Sequence, residues 1–277
     1  MCIRDRFWEK LPELLSEAES VHYNFGVSEP NDRQFINALV AHKATWGRRK
    51  GAAKLPVFDT TAVAGRLRLY KDAAEVERMR AAAAATHGAF DRIFRATRPG
   101  MSERDVHGMI VGEFLQRGAE MEAYGSIVAG GANACILHYR GNDQPLKDGE
   151  LLLVDAGAQF QYYACDVTRT FPIGQRFSAE QRALYEIVLR AQRAAIAKAV
   201  PGGTLNAIHD EATAVLIDGL VDVGLLHGSR DEILANKSFR RFYPHSTSHW
   251  IGLDVHDVGL YHDQSGPIPL TAGMYFS

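Results

Sequence analysis

The sequence is poor in cysteine and has no long apolar run. Its only cysteines are Cys2, Cys135 and Cys165, and they lie far apart. Such spacing excludes a disulfide framework and a zinc knuckle, so a reducing compartment is predicted. No apolar run approaches the roughly 20 residues that span a bilayer, and the N-terminus lacks the apolar core of a signal peptide. We therefore expect a cytoplasmic protein without membrane contact.

An excess of charge of either sign is also missing. The 31 basic and 33 acidic residues give a formal net charge of -2. A surface that binds nucleic acid would favour a clearly basic balance, so no nucleic-acid partner is expected. With 46% hydrophobic residues among 277, the chain can build a sizeable core in one large domain plus a smaller piece.

Capping signals predict four helices after residue 65. Three begin with a polar residue followed three positions later by an acid or an amide, the pattern of a capping box. These pairs are Asp72 with Glu75, Ser102 with Asp105, and Ser178 with Gln181. The fourth helix begins at Thr204 or Asn206.

The remaining elements are predicted from apolar patterning. Strands are expected at 125–128, 151–155 and 166–171. The first part of the chain, 7–64, is weakly patterned, with helices predicted around 8–18 and 31–45.

An internal repeat relates the second and fourth helices. The spacing of proline, hydroxyl residue and histidine from Pro99 to His107 recurs from Pro201 to His209. This match predicts two related halves packed about a pseudo-twofold axis, and chance similarity of two helix caps is the alternative. We interpret His107 and His209 as helix-surface residues rather than ligands.

Two aspartates carry the first chemical signal. Asp155 ends the apolar run at 151–155, and Asp166 begins the next predicted strand. Antiparallel pairing would bring the two carboxylates together, with Thr168 on the face of Asp166. Adjacent carboxylates repel unless they share a proton or a cation, and a pair of hard divalent cations such as manganese is the natural counterion. The alternative is one aspartate in a turn and the other paired with Arg169.

Histidines carry the second signal. His245, His249 and His256 lie within twelve positions. Imidazole serves both as a metal ligand and as an acid-base group near neutral pH. The run lacks the helical arrangement of a zincin, so we predict loop and strand. His138 follows the apolar run 134–137, where packing is the alternative role.

These stretches together resemble the pita-bread metallopeptidases, and among them aminopeptidase P. The similarity extends from about residue 67 to 277 and is strongest at 136–139, 153–157, 166–172 and 245–257. It implies an α+β fold, with a curved, mainly antiparallel sheet backed by helices in two pseudo-symmetric halves. Residues 65–277 would be an incomplete catalytic domain, and 1–64 the remnant of an N-terminal domain. The first six residues fit no predicted element and are interpreted as an artefact.

The resemblance also implies the roles of the site residues. Asp155 would chelate one of two divalent metal ions, usually Mn²⁺, Asp166 would bridge both, and His249 would be the imidazole ligand. The substrates implied are peptides with proline second, whose N-terminal residue is released by attack of a metal-bridging hydroxide. The family often forms dimers or tetramers, so a homo-oligomer is a further expectation.

Three more histidines would line the substrate side: His138, His245 and His256. By the same resemblance, His138 and His256 would place the scissile carbonyl and stabilise the tetrahedral oxyanion.

The sequence departs from the family pattern at its end. After 273–277 the family continues into a Glu-Pro-Gly turn with a ligand glutamate, and a second, bridging glutamate follows; neither is present here. With three of five expected ligands, this chain is predicted to be inactive or nearly so, and its full-length parent active.

Other members of the fold are alternatives. Prolidase, which cleaves Xaa-Pro dipeptides, has similar motifs. Methionine aminopeptidase fits less well because of the long run 245–257 and the residues upstream of the catalytic domain. A metal-free binding module and creatinase-like chemistry are both disfavoured because Asp155 and Asp166 are retained.

Overall fold

The computed structural model describes residues 3–46 and 55–277, and the chain divides into two units, Met1–Arg66 and Leu67–Ser277. The first unit contains helices α1 (Ile3–Leu14) and α2 (Glu29–Trp46), a short 3-10 helix (Leu15–Glu17), and the parallel strands β1 (Val21–His22) and β2 (Val57–Phe58). Helix α3 (Thr61–Leu69) crosses the boundary between the units.

Both helices predicted in the first unit are present, with different limits. Helix α1 starts at Ile3, inside the segment that the sequence analysis treats as an artefact. No glycine or proline occurs from Ile3 to Leu11, so nothing local interrupts the helix there. Phe35 of α2 packs with Leu11 and Leu15 in the small core of this unit.

The second unit is built on two pairs of packed helices. They are α4 (Ala73–Ala96) with α5 (Glu103–Gln116), and α6 (Ala179–Ala197) with α7 (Leu205–Asp222). The three predicted capping boxes are all formed. Thr204, and not Asn206, caps α7, since its hydroxyl accepts a hydrogen bond from the Ala207 amide. No helix in the described part of the chain is both long and apolar enough to cross a membrane.

Helix α3 and one short helix of the second unit were not predicted. Helix α8 (Arg230–Asn236) has a capping box formed by Ser229 and Glu232, but with seven residues it is too short to show a clear apolar period.

Eight short strands accompany these helices: β3 (Met121–Glu122), β4 (Ile127–Gly130), β5 (Leu151–Ala156), β6 (Ala158–Phe160), β7 (Tyr163–Ala164), β8 (Val167–Pro172), β9 (His262–Asp263) and β10 (Gly266–Pro267). They pair antiparallel in the orders β4-β5-β8, β3-β6-β7 and β10-β9. Along β5 the side chains alternate between buried and half-buried, so one face of the strand packs on α4 and α5. Asp155 lies on the other face, which leaves its carboxylate free to contact polar partners.

The internal repeat is present in three dimensions. In the first half, the Gly100 amide donates to the Leu146 carbonyl at 3.0 Å, and the Leu146 amide donates to Met101 at 2.7 Å. In the second half, the Gly202 amide donates to Leu270 at 2.8 Å, and Leu270 donates back to Gly203 at 2.7 Å. Gly100 and Gly202 share the left-handed backbone, with φ of 90° and 85°. Two equivalent turns therefore begin α5 and α7.

Candidate metal centre

Strands β5 and β8 bring the two predicted aspartates together. Their antiparallel register places Asp155 opposite Thr168, so Asp166 lies just beyond the start of β8 on the same side. Between the aspartates, β6 and β7 form a hairpin closed by Gln161 and Tyr162, both with positive φ, which is typical of a two-residue type I′ turn.

Gly157 permits the close return of the chain beside Asp155. A Cβ atom at this position would lie only 1.6 Å from the backbone oxygen of Cys165, the residue before Asp166. The glycine of the Asp-Ala-Gly run is therefore required by backbone proximity.

Tyr124, which the sequence analysis did not single out, joins the two carboxylates. Its hydroxyl oxygen lies 2.5 Å from Asp155 Oδ1 and 2.8 Å from Asp166 Oδ1. Burial and the two neighbouring charges raise the pKa of Tyr124 far above its usual range, so the phenol keeps its proton. One phenolic proton can satisfy only one of the two carboxylates at a time. The two carboxylates therefore carry more negative charge than the phenol can offset.

The two aspartates differ in what surrounds them. Burial and the charge of Asp166 raise the pKa of Asp155, although hydrogen bonds from Tyr124 and Thr168 oppose the change. Burial acts in the same direction on Asp166, but hydrogen bonds from His249 and Tyr124 outweigh it and lower the pKa of Asp166. Asp166 has a basic partner, His249, at close range, whereas Asp155 lies beside the like charge of Asp166.

His249 is held at both ring nitrogens. Its Nε2 lies 3.0 Å from Asp166 Oδ2, and its Nδ1 lies 3.1 Å from the carbonyl oxygen of Trp250. Burial alone would lower the pKa of His249, but the bonds to Asp166 and to the Trp250 carbonyl raise it. Metal-binding histidines usually donate the second ring N–H to a carbonyl or carboxylate, and the Nδ1 contact with Trp250 is of that kind. Asp166 therefore pairs with His249, and not with Arg169.

The donor chemistry of this group suits a divalent cation. Two half-buried carboxylates and an imidazole are acceptable ligands for manganese or zinc, and the excess of negative charge would be offset by a cation. Within the described residues, no three His, Cys, Asp or Glu side chains already converge in the geometry of a metal site. The fit therefore rests on the donor set and its charge: Asp155, Asp166 and His249.

The three other predicted site histidines are exposed, and they differ in their neighbours. The ring of His256 packs edge to face on His249, with centroids 4.4 Å apart. His245 lies against Tyr243, with ring centroids 4.8 Å apart. His138 follows Ile136 and Leu137, which are 54% and 59% exposed, so the predicted alternative of a packed apolar run is wrong there.

A buried ion cluster anchors the histidine-rich run. Asp257, next to His256, contacts the guanidinium of Arg68 at 2.5 Å and lies 3.8 Å from Nζ of Lys71. Burial lowers the pKa of Lys71 and raises that of Asp257. The run has no helical residues, as the sequence predicts, and Trp250 pairs with Phe276 through an isolated β-bridge.

The chain matches one protein family over most of its length. Residues 77–277 match the model of metallopeptidase family M24, and the chain belongs to that family. Its fold is the α+β pita-bread fold, in agreement with the sequence analysis.

The names of similar curated proteins are more specific than the name of the family. The chain is 40% identical to a Xaa-Pro aminopeptidase of Haemophilus influenzae, over 91% of this chain and 60% of the relative. It is 36% identical to the Xaa-Pro aminopeptidase of Escherichia coli, over 91% of this chain and 57% of the relative.

Solved structures give the same result. The chain superimposes on the aminopeptidase PepP of Pseudomonas aeruginosa with a TM-score of 0.90 at 41% identity, covering 98% of this chain and 61% of the other. For zinc-substituted Escherichia coli aminopeptidase P in complex with product, the TM-score is 0.89 at 36% identity, over 98% of this chain and 61% of the other. The chain thus spans about three fifths of the length of each of these four proteins.

Proposed function

We propose that the protein is a Xaa-Pro aminopeptidase, a metal-dependent exopeptidase that releases the N-terminal residue of peptides with proline second. The observation that carries this proposal is the group of Asp155, Asp166 and His249, in which two carboxylates lie together with an excess of negative charge. The chain belongs to the M24 family, and its named relatives are Xaa-Pro aminopeptidases. We also propose that the protein is cytoplasmic. We propose that it forms homo-oligomers, which light scattering would detect.

Asp155, Asp166 and His249 are the residues that would hold two divalent ions, for which we propose Mn²⁺. Bound ions of this kind lower the pKa of water and polarise a carbonyl. Thr168 lies opposite Asp155 in the pairing of β5 with β8, and its hydroxyl favours the charged form of that carboxyl and so lowers its pKa. Tyr124 keeps its proton and donates to one of the two carboxylates.

His256 and His138 are the proposed groups for the substrate carbonyl. His256 is exposed beside His249, so its free ring nitrogen can reach a peptide that approaches the metal ligands. Imidazolium or neutral imidazole N–H can donate to an oxyanion, and this donation is the role proposed for both. His245, exposed beside Tyr243, would line the same side.

The activity assay compares two proteins with Mn²⁺ present. The product of the complete gene is expected to release the free N-terminal amino acid from a Xaa-Pro-Xaa tripeptide, detected by mass spectrometry. The 277-residue chain is expected to release none that can be measured, because it contains three of the five ligands that the family resemblance implies.

The outcomes separate the alternatives. Cleavage of a Xaa-Pro dipeptide but not of the tripeptide would identify a prolidase instead. Complete absence of both metal uptake and hydrolysis in the gene product would favour a metal-free binding module. Measurable cleavage by the 277-residue chain would contradict the prediction that the chain itself is inactive.

A further inference from the structure

The two histidines of the internal repeat each make a side-chain hydrogen bond to a segment near the candidate metal centre. The His107 ring is partly buried, and its Nε2 lies 2.9 Å from Glu122 Oε1. The His209 ring is also partly buried, and its Nδ1 lies 2.8 Å from the Thr247 hydroxyl. The sequence analysis interprets both as helix-surface residues, and in the structure each ring is partly buried against a neighbouring segment. Both hydrogen-bond a segment that follows their helix in the chain.

In the first half, the contacted segment is a tight turn. Glu122 Oε1 also accepts from the amide and the hydroxyl of Ser126, at 3.3 Å and 2.5 Å. Tyr124 lies midway between Glu122 and Ser126 and places its hydroxyl on Asp155 and Asp166. The carboxylate of Glu122 thus closes the turn that presents Tyr124, and His107 holds that carboxylate.

In the second half, the contacted residue has the same relation to the site. Thr247 lies two positions before His249, as Glu122 lies two positions before Tyr124. The Tyr243 hydroxyl lies 2.5 Å from the same Thr247 hydroxyl, and the His209 ring stacks on Tyr243 with centroids 5.5 Å apart. His209 therefore fixes the segment that leads into His249.

We infer that His107 and His209 are paired positioning residues, each holding the segment that delivers one side chain of the candidate metal centre, Tyr124 from the first half and His249 from the second. The consequence for metal binding rests on the proposed function; the positioning itself does not. The hydrogen bond to Glu122 raises the pKa of His107, and the hydrogen bonds from His107 and Ser126 outweigh burial to lower that of Glu122, so the first contact is strengthened by charge.

The geometry allows a test with matched amide variants. A glutamine amide nitrogen replaces Nε2 of a histidine, and an asparagine amide nitrogen replaces Nδ1. His107 uses Nε2, so His107→Gln keeps the contact and His107→Asn loses it. His209 uses Nδ1, so the order reverses: His209→Asn keeps the contact and His209→Gln loses it. Helix propensity favours glutamine at both positions, so it cannot produce this reversal.

The first readout is metal-free NMR of the 277-residue chain labelled with ¹³C in tyrosine and histidine. Tyr124→Phe and His249→Ala assign the two resonances. We expect His107→Asn to shift the Tyr124 resonance and leave His249 in place, and His209→Gln to do the opposite. His107→Gln and His209→Asn should match the wild type. If a loss variant fails to fold by circular dichroism, Glu122→Ala and Thr247→Val remove the same contacts and are judged in the same way.

The inference is overturned if neither resonance moves in the loss variants, or if asparagine and glutamine act alike at each position. The second readout is Mn²⁺ affinity of the complete gene product, where the loss variants should raise Kd by roughly 10- to 100-fold and the rescue variants should not. The NMR pattern without any Mn²⁺ uptake by the wild type would support the positioning roles and reject the proposed function. Mn²⁺ uptake with an unchanged NMR spectrum would do the reverse.

Discussion

The Asp155→Asn and Asp166→Asn variants are expected to abolish divalent-metal binding alike, yet to change the stability of the metal-free chain in opposite directions. Both remove a carboxylate that we propose as a ligand, so the Kd for Mn²⁺ in the complete gene product should rise by more than the roughly 100-fold that loss of an outer-shell partner can cost. Peptide hydrolysis should disappear with the metal.

The opposite stability effects follow from the neighbours of each carboxylate. Asp155 has a like charge beside it and shares a single phenolic proton with Asp166. Removing its charge relieves repulsion and should raise the free energy of unfolding by about 1 kcal/mol. Asp166 pairs with His249 at 3.0 Å, so its neutralisation removes a charge-assisted bond and should cost about 1–3 kcal/mol.

Urea unfolding of the metal-free 277-residue chain at pH 7.5 measures the change in the free energy of unfolding for both variants. The same measurement on the complete gene product, with and without added Mn²⁺, reports on metal binding. Thr168→Val serves as the control, since it removes a hydroxyl from the cross-strand neighbour of Asp155 without changing charge. Equal destabilisation by the two asparagine variants would show that the aspartates are not a repelling pair. Retained Mn²⁺ binding in either would remove that residue from the proposed ligand set.

The Glu103→Gln variant is expected to destabilise the second unit by about 3–5 kcal/mol. Glu103 is fully buried at the start of α5. Its two carboxylate oxygens accept from five donors: the amides of Gly130, Asp143 and Gln144, the side-chain amide of Asn133, and the hydroxyl of Tyr139. A glutamine has a single acceptor oxygen, so at least two of the five donors lose their acceptor.

The donors come from the segment that carries His138, so function should fall with stability. Loss of the Glu103 contacts frees residues 133–144, and amide hydrogen exchange there should rise well above that of α4 and α6. Glu77→Gln is the control, because Glu77 is exposed on α4; it should change the free energy of unfolding by less than about 0.5 kcal/mol. A similar effect of both variants would show that the hydrogen bonds of Glu103 add little.

Lowering the pH should reduce the difference in the free energy of unfolding between the wild type and Glu103→Gln. Burial alone would raise the pKa of Glu103, but its hydrogen bonds outweigh burial and lower it. A carboxylate with a lowered folded-state pKa stabilises the fold above its unfolded value, about 4.3, and loses that contribution as pH falls through the folded value. Urea unfolding from pH 7 to pH 3 should therefore show the wild type approaching the variant below about pH 4.3.

Much of the local structure was predictable because its causes are local. Capping boxes join residues three positions apart, so Asp72, Ser102 and Ser178 could be read as helix starts. The apolar run before Asp155 and the alternation after Asp166 indicated two paired strands, and the register is antiparallel as expected. The resemblance through 136–139, 153–157, 166–172 and 245–257 led to the M24 family, which the comparisons confirm.

Other parts depend on contacts between distant segments. Tyr124 reaches Asp155 from 31 positions away and Asp166 from 42, and a tyrosine in a Tyr-Gly pair carries no local signal for such a role. The sequence related His107 to His209, but their partners Glu122 and Thr247 become visible only when each helix is packed beside the segment that it holds.

By itself, then, the sequence determined where three helices of the second unit begin and that Asp155 and Asp166 lie close together, because these follow from short-range hydrogen bonding and strand pairing. The resemblance of ordered motifs gave the family of the chain and pointed to His249 as the third member of the group. The tertiary structure alone decided that Asp166 pairs with His249 while Asp155 has no basic partner among the residues that the structure describes, that Glu103 is a buried acceptor for a whole loop, and that His138 is exposed. Those properties depend on burial and on the direction of side chains that meet across many positions of the chain, and neither is encoded in any one segment.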